Sequence, residues 1–149
     1  MFSVLSPPTK LELTLAGKAK EERWTSPGTY ILGNSLVNGY PHWLKADESQ
    51  AIWFSKAASS WSVDRKENLG TDIGGIQGPK GKDSYPNEIK QGWRYADPDL
   101  EPWQDAGPND VIFKAIGTFF KPSLHKIKSS PLCSRNFQNV KLRLDFVEI

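Results

Sequence analysis

The chain has almost none of the residues on which covalent cross-links and common metal sites depend. Its 149 residues include one cysteine, Cys133, and two histidines, His42 and His125. A single cysteine excludes an internal disulfide framework. Two histidines and one cysteine at these separations do not make up a usual zinc site, and they offer no convincing Cys–His dyad for nucleophilic catalysis. The sequence therefore favours a non-enzymatic protein without a cofactor.

Long apolar runs and a strong charge of one sign are also missing. Pro7 and Pro8 interrupt the N-terminal apolar stretch before it reaches signal-peptide length, and no run approaches the ~20 apolar residues of a membrane span. A net charge of +2 is too small to indicate a nucleic-acid or membrane partner. These absences favour a cytoplasmic protein, or an extracellular one if the chain is an excised module. They do not indicate an oligomeric state.

Turn-forming residues are abundant, with 12 glycines and 11 prolines, which indicates many turns and little long helix. We expect an all-β fold, a single compact antiparallel sandwich or barrel-like domain, in preference to an α+β fold. Residues 1–9 are interpreted as a lead-in and residues 10–116 as the aromatic-rich β domain. Residues 117–149 form a basic C-terminal tail, in which the alternation over residues 141–146 predicts a possible last strand.

Period-2 alternation of apolar and polar residues supplies the strand predictions. Leu11, Leu13 and Leu15 alternate with polar residues, and the run at 111–116 is expected to pair with them and close the domain. Asn38–Gly39 is a strong signal for a two-residue type I′ turn. Further strands are predicted at 28–32, 35–37, 40–44, 51–55 and 60–64. Over residues 35–65 the pattern predicts a three-stranded antiparallel meander. Residues 18–23 could form one helical turn, but they are too few and too charged to be expected as more than a surface loop. Residues 66–110 are expected to be a long Gly/Pro-rich loop region with two candidate short strands, at 73–76 and 92–95.

Six tryptophans all fall between Trp24 and Trp103, and each indole can bury roughly 150–250 Å². We expect a core role for most of them, and specifically for Trp53, Phe54, Trp61 and Trp93. Partial exposure is expected for three rings next to prolines or acidic turns, which are the ligand-binding candidates. They are Tyr40, Trp43 and Trp103.

The aromatic pattern over residues 24–65 resembles a small β-module that recurs in modular eukaryotic proteins. The pattern consists of four motifs in chain order. They are W-x3-G-x-Y from Trp24, N-G-x-P-x-W from Asn38, I-W-F from Ile52 and W-x-V from Trp61. The match is looser over residues 66–116 and ends there. The resemblance implies a non-enzymatic building block.

Three functions are compatible with these observations. The leading hypothesis is a binding or adhesion module whose exposed aromatic rings take a carbohydrate. The second is an intracellular protein-interaction domain that uses the basic tail or an open sheet edge. The third is a small acid-dependent hydrolase or a calcium-binding, lectin-like protein. Its carboxylates would be Asp97, Asp99, Glu101 and Asp105.

Two nucleotide-related functions are disfavoured. The Gly-rich segment 74–84 lacks the first glycine of a phosphate-binding loop and carries Asp83 where Ser or Thr belongs. Residues 10–116 hold 13 basic and 15 acidic side chains. Base stacking requires a basic groove, so this balance argues against a nucleic-acid partner.

Overall fold

The structure, a computed structural model, describes residues 6–97 and 103–116. Within these residues nine antiparallel strands form one sheet that curls into a half-barrel. The strands are β1 (Lys10–Leu15), β2 (Gly28–Leu32), β3 (Trp43–Lys45), β4 (Gln50–Ser55), β5 (Ser60–Arg65), β6 (Ile76–Gln77), β7 (Arg94–Ala96), β8 (Trp103–Asp105) and β9 (Val111–Ile116). The helical elements are α1 (Gly17–Glu22) and two 3-10 turns at Lys66–Asn68 and Pro86–Glu88. The all-β prediction is confirmed.

The strand order is β8-β7-β6-β5-β4-β3-β2-β1-β9, so the first and last strands of the described sheet are neighbours. Leu11, Leu13 and Leu15 are buried while the residues between them are exposed, as the alternation predicted. Leu13 pairs with Phe113, and Leu15 pairs with Val111. The predicted pairing of the first strand with residues 111–116 is therefore confirmed, and it brings two buried strand faces onto one core.

The turn at Asn38–Gly39 has positive φ at both central residues, 57° and 84°, as a type I′ turn requires. Val37 and Tyr40 form an isolated bridge across this turn, and residues 35–37 do not form a regular strand. The meander prediction is therefore correct for β3, β4 and β5 but wrong for residues 35–37. β3 begins only at Trp43, beyond Pro41, which has no backbone N–H to contribute to a ladder.

The core lies on the concave face of the sheet and is rich in aromatic residues. Phe54 pairs with Trp61 across β4 and β5, and their ring centroids lie 5.4 Å apart in an edge-to-face arrangement. Trp93, just before β7, packs on Phe113 of β9 with centroids 4.7 Å apart. This contact joins opposite ends of the strand order, so the sheet curls around a single apolar interior.

Buried tryptophans also anchor the irregular segments. Four indole N–H groups donate to backbone carbonyl oxygens in segments outside the strands, at donor–acceptor distances of 2.8–3.2 Å. The donor and acceptor pairs are Trp43 and Pro8, Trp53 and Thr71, Trp61 and Ser84, and Trp93 and Ile89. Each bond satisfies a buried indole and fixes one segment onto the sheet.

The long segment after residue 65 is therefore ordered by the sheet beneath it. It contains β6 at 76–77 and β7 at 94–96. These strands lie close to the two candidate short strands predicted at 73–76 and 92–95. Gly78 lies against the face of Trp93, where a Cβ would approach the ring to 3.1 Å. Glycine there lets the backbone approach the ring closely.

Residues 17–22 form a short α-helix, which is more regular structure than the surface loop with at most one helical turn that was predicted at 18–23. Ala19 is fully buried, and this contact holds the helix on the sheet despite its charged composition. Directly after the helix, Arg23 Nη2 donates to Asp64 Oδ1 at 3.1 Å, with side chains 22% and 10% exposed. Asp64 Oδ2 accepts a second bond, from Asn68 Nδ2. The pair ties the end of α1 to β5.

Alkaline pH is expected to destabilise the fold through Tyr30. Its hydroxyl donates to the Ser26 carbonyl at 2.5 Å, and burial, with a smaller effect of the Asp47 charge, raises the pKa of Tyr30 well above 10.0. The contribution of the Tyr30 hydroxyl to folding stability is therefore complete below about pH 10. It is lost progressively above that pH, because the tyrosine of the unfolded chain ionises first. The Tyr30→Phe variant should be about 1 kcal/mol less stable at about pH 8, and this deficit should shrink towards about pH 11. Urea unfolding at each pH measures the difference in stability between the two proteins. A difference that stays constant with pH would contradict a raised pKa for Tyr30.

Candidate functional site

Trp43, one of the three predicted ligand-binding aromatics, lies in the core. It is 0% exposed, its ring centroid is 5.7 Å from that of Trp61, and its indole N–H is bonded to Pro8. The prediction that Trp43 is partly exposed is wrong. β3 begins at Trp43, because Pro41 has no backbone N–H for a ladder. Trp43 is paired with Ile52 on β4, and in this register its side chain faces the core.

Tyr40 is half-buried, and its ring packs on Phe54 with centroids 4.4 Å apart. A shallow cleft of about 240 Å³ lies beside the following proline. The residues that line it are Pro7, Leu32, Gly33, Asn34, Ser35, Leu36 and Pro41. Leu36 is 66% exposed there. Tyr40 thus contributes one face to the core.

Trp103, the third predicted aromatic, is partly exposed on β8. Its neighbour Gln104 pairs with buried Tyr95, so Trp103 and Asp105 project from the opposite, convex face of the sheet. Ala96 on β7 is directly opposite Trp103. A methyl side chain at that position leaves room for the indole to lean over β7.

Arg94 on β7 completes the arrangement around Trp103. Its Cζ lies 5.0 Å from the centre of the Trp103 ring, within cation–π range. Its Nη2 donates to Oε1 of Gln77 on β6 at 2.7 Å. Gln77 is itself 5% exposed, and this bond positions the guanidinium. The four side chains, Gln77, Arg94, Trp103 and Asp105, are called the Trp103 face below.

Asp105 is exposed and directly opposite Arg94 in the β7–β8 register. Nevertheless no ion pair joins these two charges, and the described residues offer the guanidinium one bond, to Gln77. The remaining Arg94 nitrogens are not among the buried polar atoms that lack a partner, so they reach solvent. The Trp103 face therefore presents an indole, free guanidinium donors and a carboxylate acceptor side by side.

The acidic candidates do not converge within the described residues. Asp97 is 1% exposed, whereas Asp105 is exposed on the convex face. Asp99 and Glu101 lie outside the described residues. In the ranges 6–97 and 103–116, no three His, Cys, Asp or Glu side chains are grouped so that they can hold a metal ion.

One exposed tryptophan had not been predicted as a site residue. Trp24 is 75% exposed in the turn after α1, between Arg23 and Thr25. Arg94 and Gln77 were also missed, because only the register Gln77↔Arg94↔Asp105 brings them beside Trp103. The sequence signal for Arg94 is its position between two buried aromatics, Trp93 and Tyr95, which directs it to the opposite face.

Comparison of the chain with protein-family models, with curated proteins and with solved structures finds no match. The resemblance of residues 24–65 to a modular β-unit remains a prediction. Within the part of the chain that the structure describes, no helix has the length and apolar character that a membrane crossing requires.

Proposed function

We propose that the protein is a non-enzymatic carbohydrate-binding module and that the Trp103 face is its binding surface. One observation carries the proposal. Four of the six tryptophans are at most 3% exposed, while Trp103 remains partly exposed on a sheet face with polar side chains around it. The buried four are explained by packing and loop anchoring, so they need no ligand to account for them.

The chemistry of the face suits a sugar. The C–H groups on one side of a pyranose ring pack on an indole, and the hydroxyls at the ring edge exchange hydrogen bonds with flanking polar groups. Arg94 supplies donors and Asp105 supplies acceptors for such hydroxyls. All three side chains project from short paired strands, which position a binding site more precisely than loops do.

The other two functions have less support. The protein-interaction hypothesis depends on an open sheet edge or on the basic tail, and residues 117–149 lie outside the described residues. The acid-dependent hydrolase or calcium-binding hypothesis needs several carboxylates at one place. Asp97 and Asp105, the two candidates that the structure describes, do not lie together. A protein partner would become the favoured hypothesis if no carbohydrate bound.

Replacing Trp103 by alanine is expected to weaken carbohydrate binding at least about 30-fold, because a central aromatic anchor contributes about 2 kcal/mol or more. The full chain would be applied to a glycan array, and the strongest ligands would then be titrated by calorimetry. The melting temperature should change little, since Trp103 lies outside the core.

Trp24→Ala is the matched control, because it removes the same side chain from a more exposed position that is not on the Trp103 face. Binding should be retained in this variant. The proposal is rejected if the array yields no ligand, or if Trp103→Ala binds as tightly as the unmodified protein.

A further inference from the structure

We propose that the ligand of the Trp103 face is an acidic saccharide, and that Arg94 binds the carboxylate of a uronic acid residue. The inference rests on the proposed function and adds the charge of the ligand to it. It starts from an arginine that is positioned by its neighbours and has no counter-charge among the residues that the structure describes. Arg94 is held by Gln77 and Trp103, and neither of these partners carries a negative charge.

The absence of an ion pair between Arg94 and Asp105 is informative because the two residues are direct cross-strand partners. Opposite charges at such positions normally attract each other. Instead, Arg94 Nη2 donates to Gln77 on the other side, and no carboxylate of the described residues lies within 4.0 Å of the guanidinium. The solvent-facing nitrogens remain available to an anion from outside.

The geometry favours a carboxylate in particular. A guanidinium is planar and binds a carboxylate through two parallel N–H···O bonds, and its partner bond to Gln77 reduces the side-chain freedom lost on binding. The part of the indole that Arg94 leaves uncovered offers an apolar surface for the sugar ring that bears the carboxylate.

Asp105 sets an upper limit on the charge of the ligand. It is exposed beside Arg94, so the local net charge of these two residues is zero. A densely sulfated polyanion would bring several negative charges next to Asp105 and be repelled. A saccharide with one carboxylate per sugar residue can place that group on Arg94 while its hydroxyls donate to Asp105.

The test compares two ligands that differ in the carboxylate, tetragalacturonic acid and neutral galactotetraose, by calorimetry on the full chain. We expect the acidic ligand to bind about 10- to 100-fold more tightly, the usual effect of a charge-assisted hydrogen bond. Arg94→Gln should abolish this preference. Arg65→Gln, which removes an exposed arginine that lies on β5 and pairs with Glu67, should retain it.

Arg94→Lys provides a second variant if Arg94→Gln proves unstable, and thermal melting checks both. Lysine keeps the charge but cannot form two parallel bonds, so the preference should fall to an intermediate value. Equal binding of the two ligands, with loss of both in Trp103→Ala, would overturn the acidic preference and leave the proposed function standing. Binding of neither these ligands nor any glycan on the array would overturn both.

Discussion

Replacing Trp61 by alanine is expected to lower the free energy of unfolding by about 3–5 kcal/mol, the usual cost of removing a large buried aromatic. Trp61 is 0% exposed, and its ring lies 5.7 Å from Trp43 and 5.4 Å from Phe54. A domain of this size is typically stable by about 5–15 kcal/mol, so one substitution removes more than about half of the smaller value.

The Trp61 substitution has a second, local effect. The indole N–H donates to the Ser84 carbonyl at 2.8 Å and so holds the Gly/Pro-rich segment that follows β6. Trp61→Phe keeps most of the ring and loses this bond, at a cost of about 1–3 kcal/mol. Hydrogen exchange around Ser84 should then accelerate more than exchange in β1.

Denaturant unfolding of Trp61→Ala, Trp61→Phe and Trp24→Ala measures these differences. Trp24 is 75% exposed, so its removal should change the stability by no more than about 0.5 kcal/mol. Equal losses for Trp61→Ala and Trp24→Ala would contradict the assignment of the buried indoles to the core.

Replacing Asp64 by alanine is expected to cost about 3 kcal/mol, the lower end for a buried ion pair, because it leaves the partly buried guanidinium of Arg23 without its counter-charge. Arg23 Nε is already buried with no partner among the described residues. Asp64 is therefore the acceptor that compensates the burial of this cation. Its loss should also release Asn68, which donates to the other carboxylate oxygen at 3.0 Å.

Two comparisons test the assignment of Arg23 and Asp64. Lys66→Ala removes an exposed pair, Lys66 with Glu48 at 2.9 Å, and should cost no more than about 1 kcal/mol. The double variant Arg23→Met/Asp64→Leu should recover much of the stability lost in Asp64→Ala, since an apolar pair replaces a charged pair. Chemical denaturation measures the free energy of unfolding of all three variants. If Asp64→Ala lost as little stability as Lys66→Ala, the ion pair of Arg23 and Asp64 would have no structural role.

The strands with one buried face were predictable because their pattern is local. The alternation at residues 10–15 and 111–116 identified β1 and β9, and the Asn38–Gly39 turn was identified by its own backbone requirement. The short helix at 17–22 was missed because its stability comes from the burial of Ala19 against the sheet, which its charged sequence does not reveal.

The candidate site was predictable only in part, for a related reason. Trp103 was identified from its acidic, proline-flanked surroundings, whereas Arg94 and Gln77 join it only through the pairing of β6, β7 and β8. Trp43 was misassigned because a ring next to a turn faces inward or outward according to register, and a shift of one residue reverses the direction.

Composition and periodicity alone determined that this protein is an all-β domain whose tryptophans mostly form its core, because alternation and turn chemistry act over a few residues. Tertiary structure alone decided which indoles remain at the surface and which charged side chains lie beside Trp103. Those facts depend on contacts between residues far apart in the chain, such as Gln77 with Arg94 and Arg23 with Asp64. The pairing of β6 with β7 brings Gln77 and Arg94 together, and the packing of α1 on the sheet brings Arg23 to Asp64. Neither contact follows from the residue pattern within one segment.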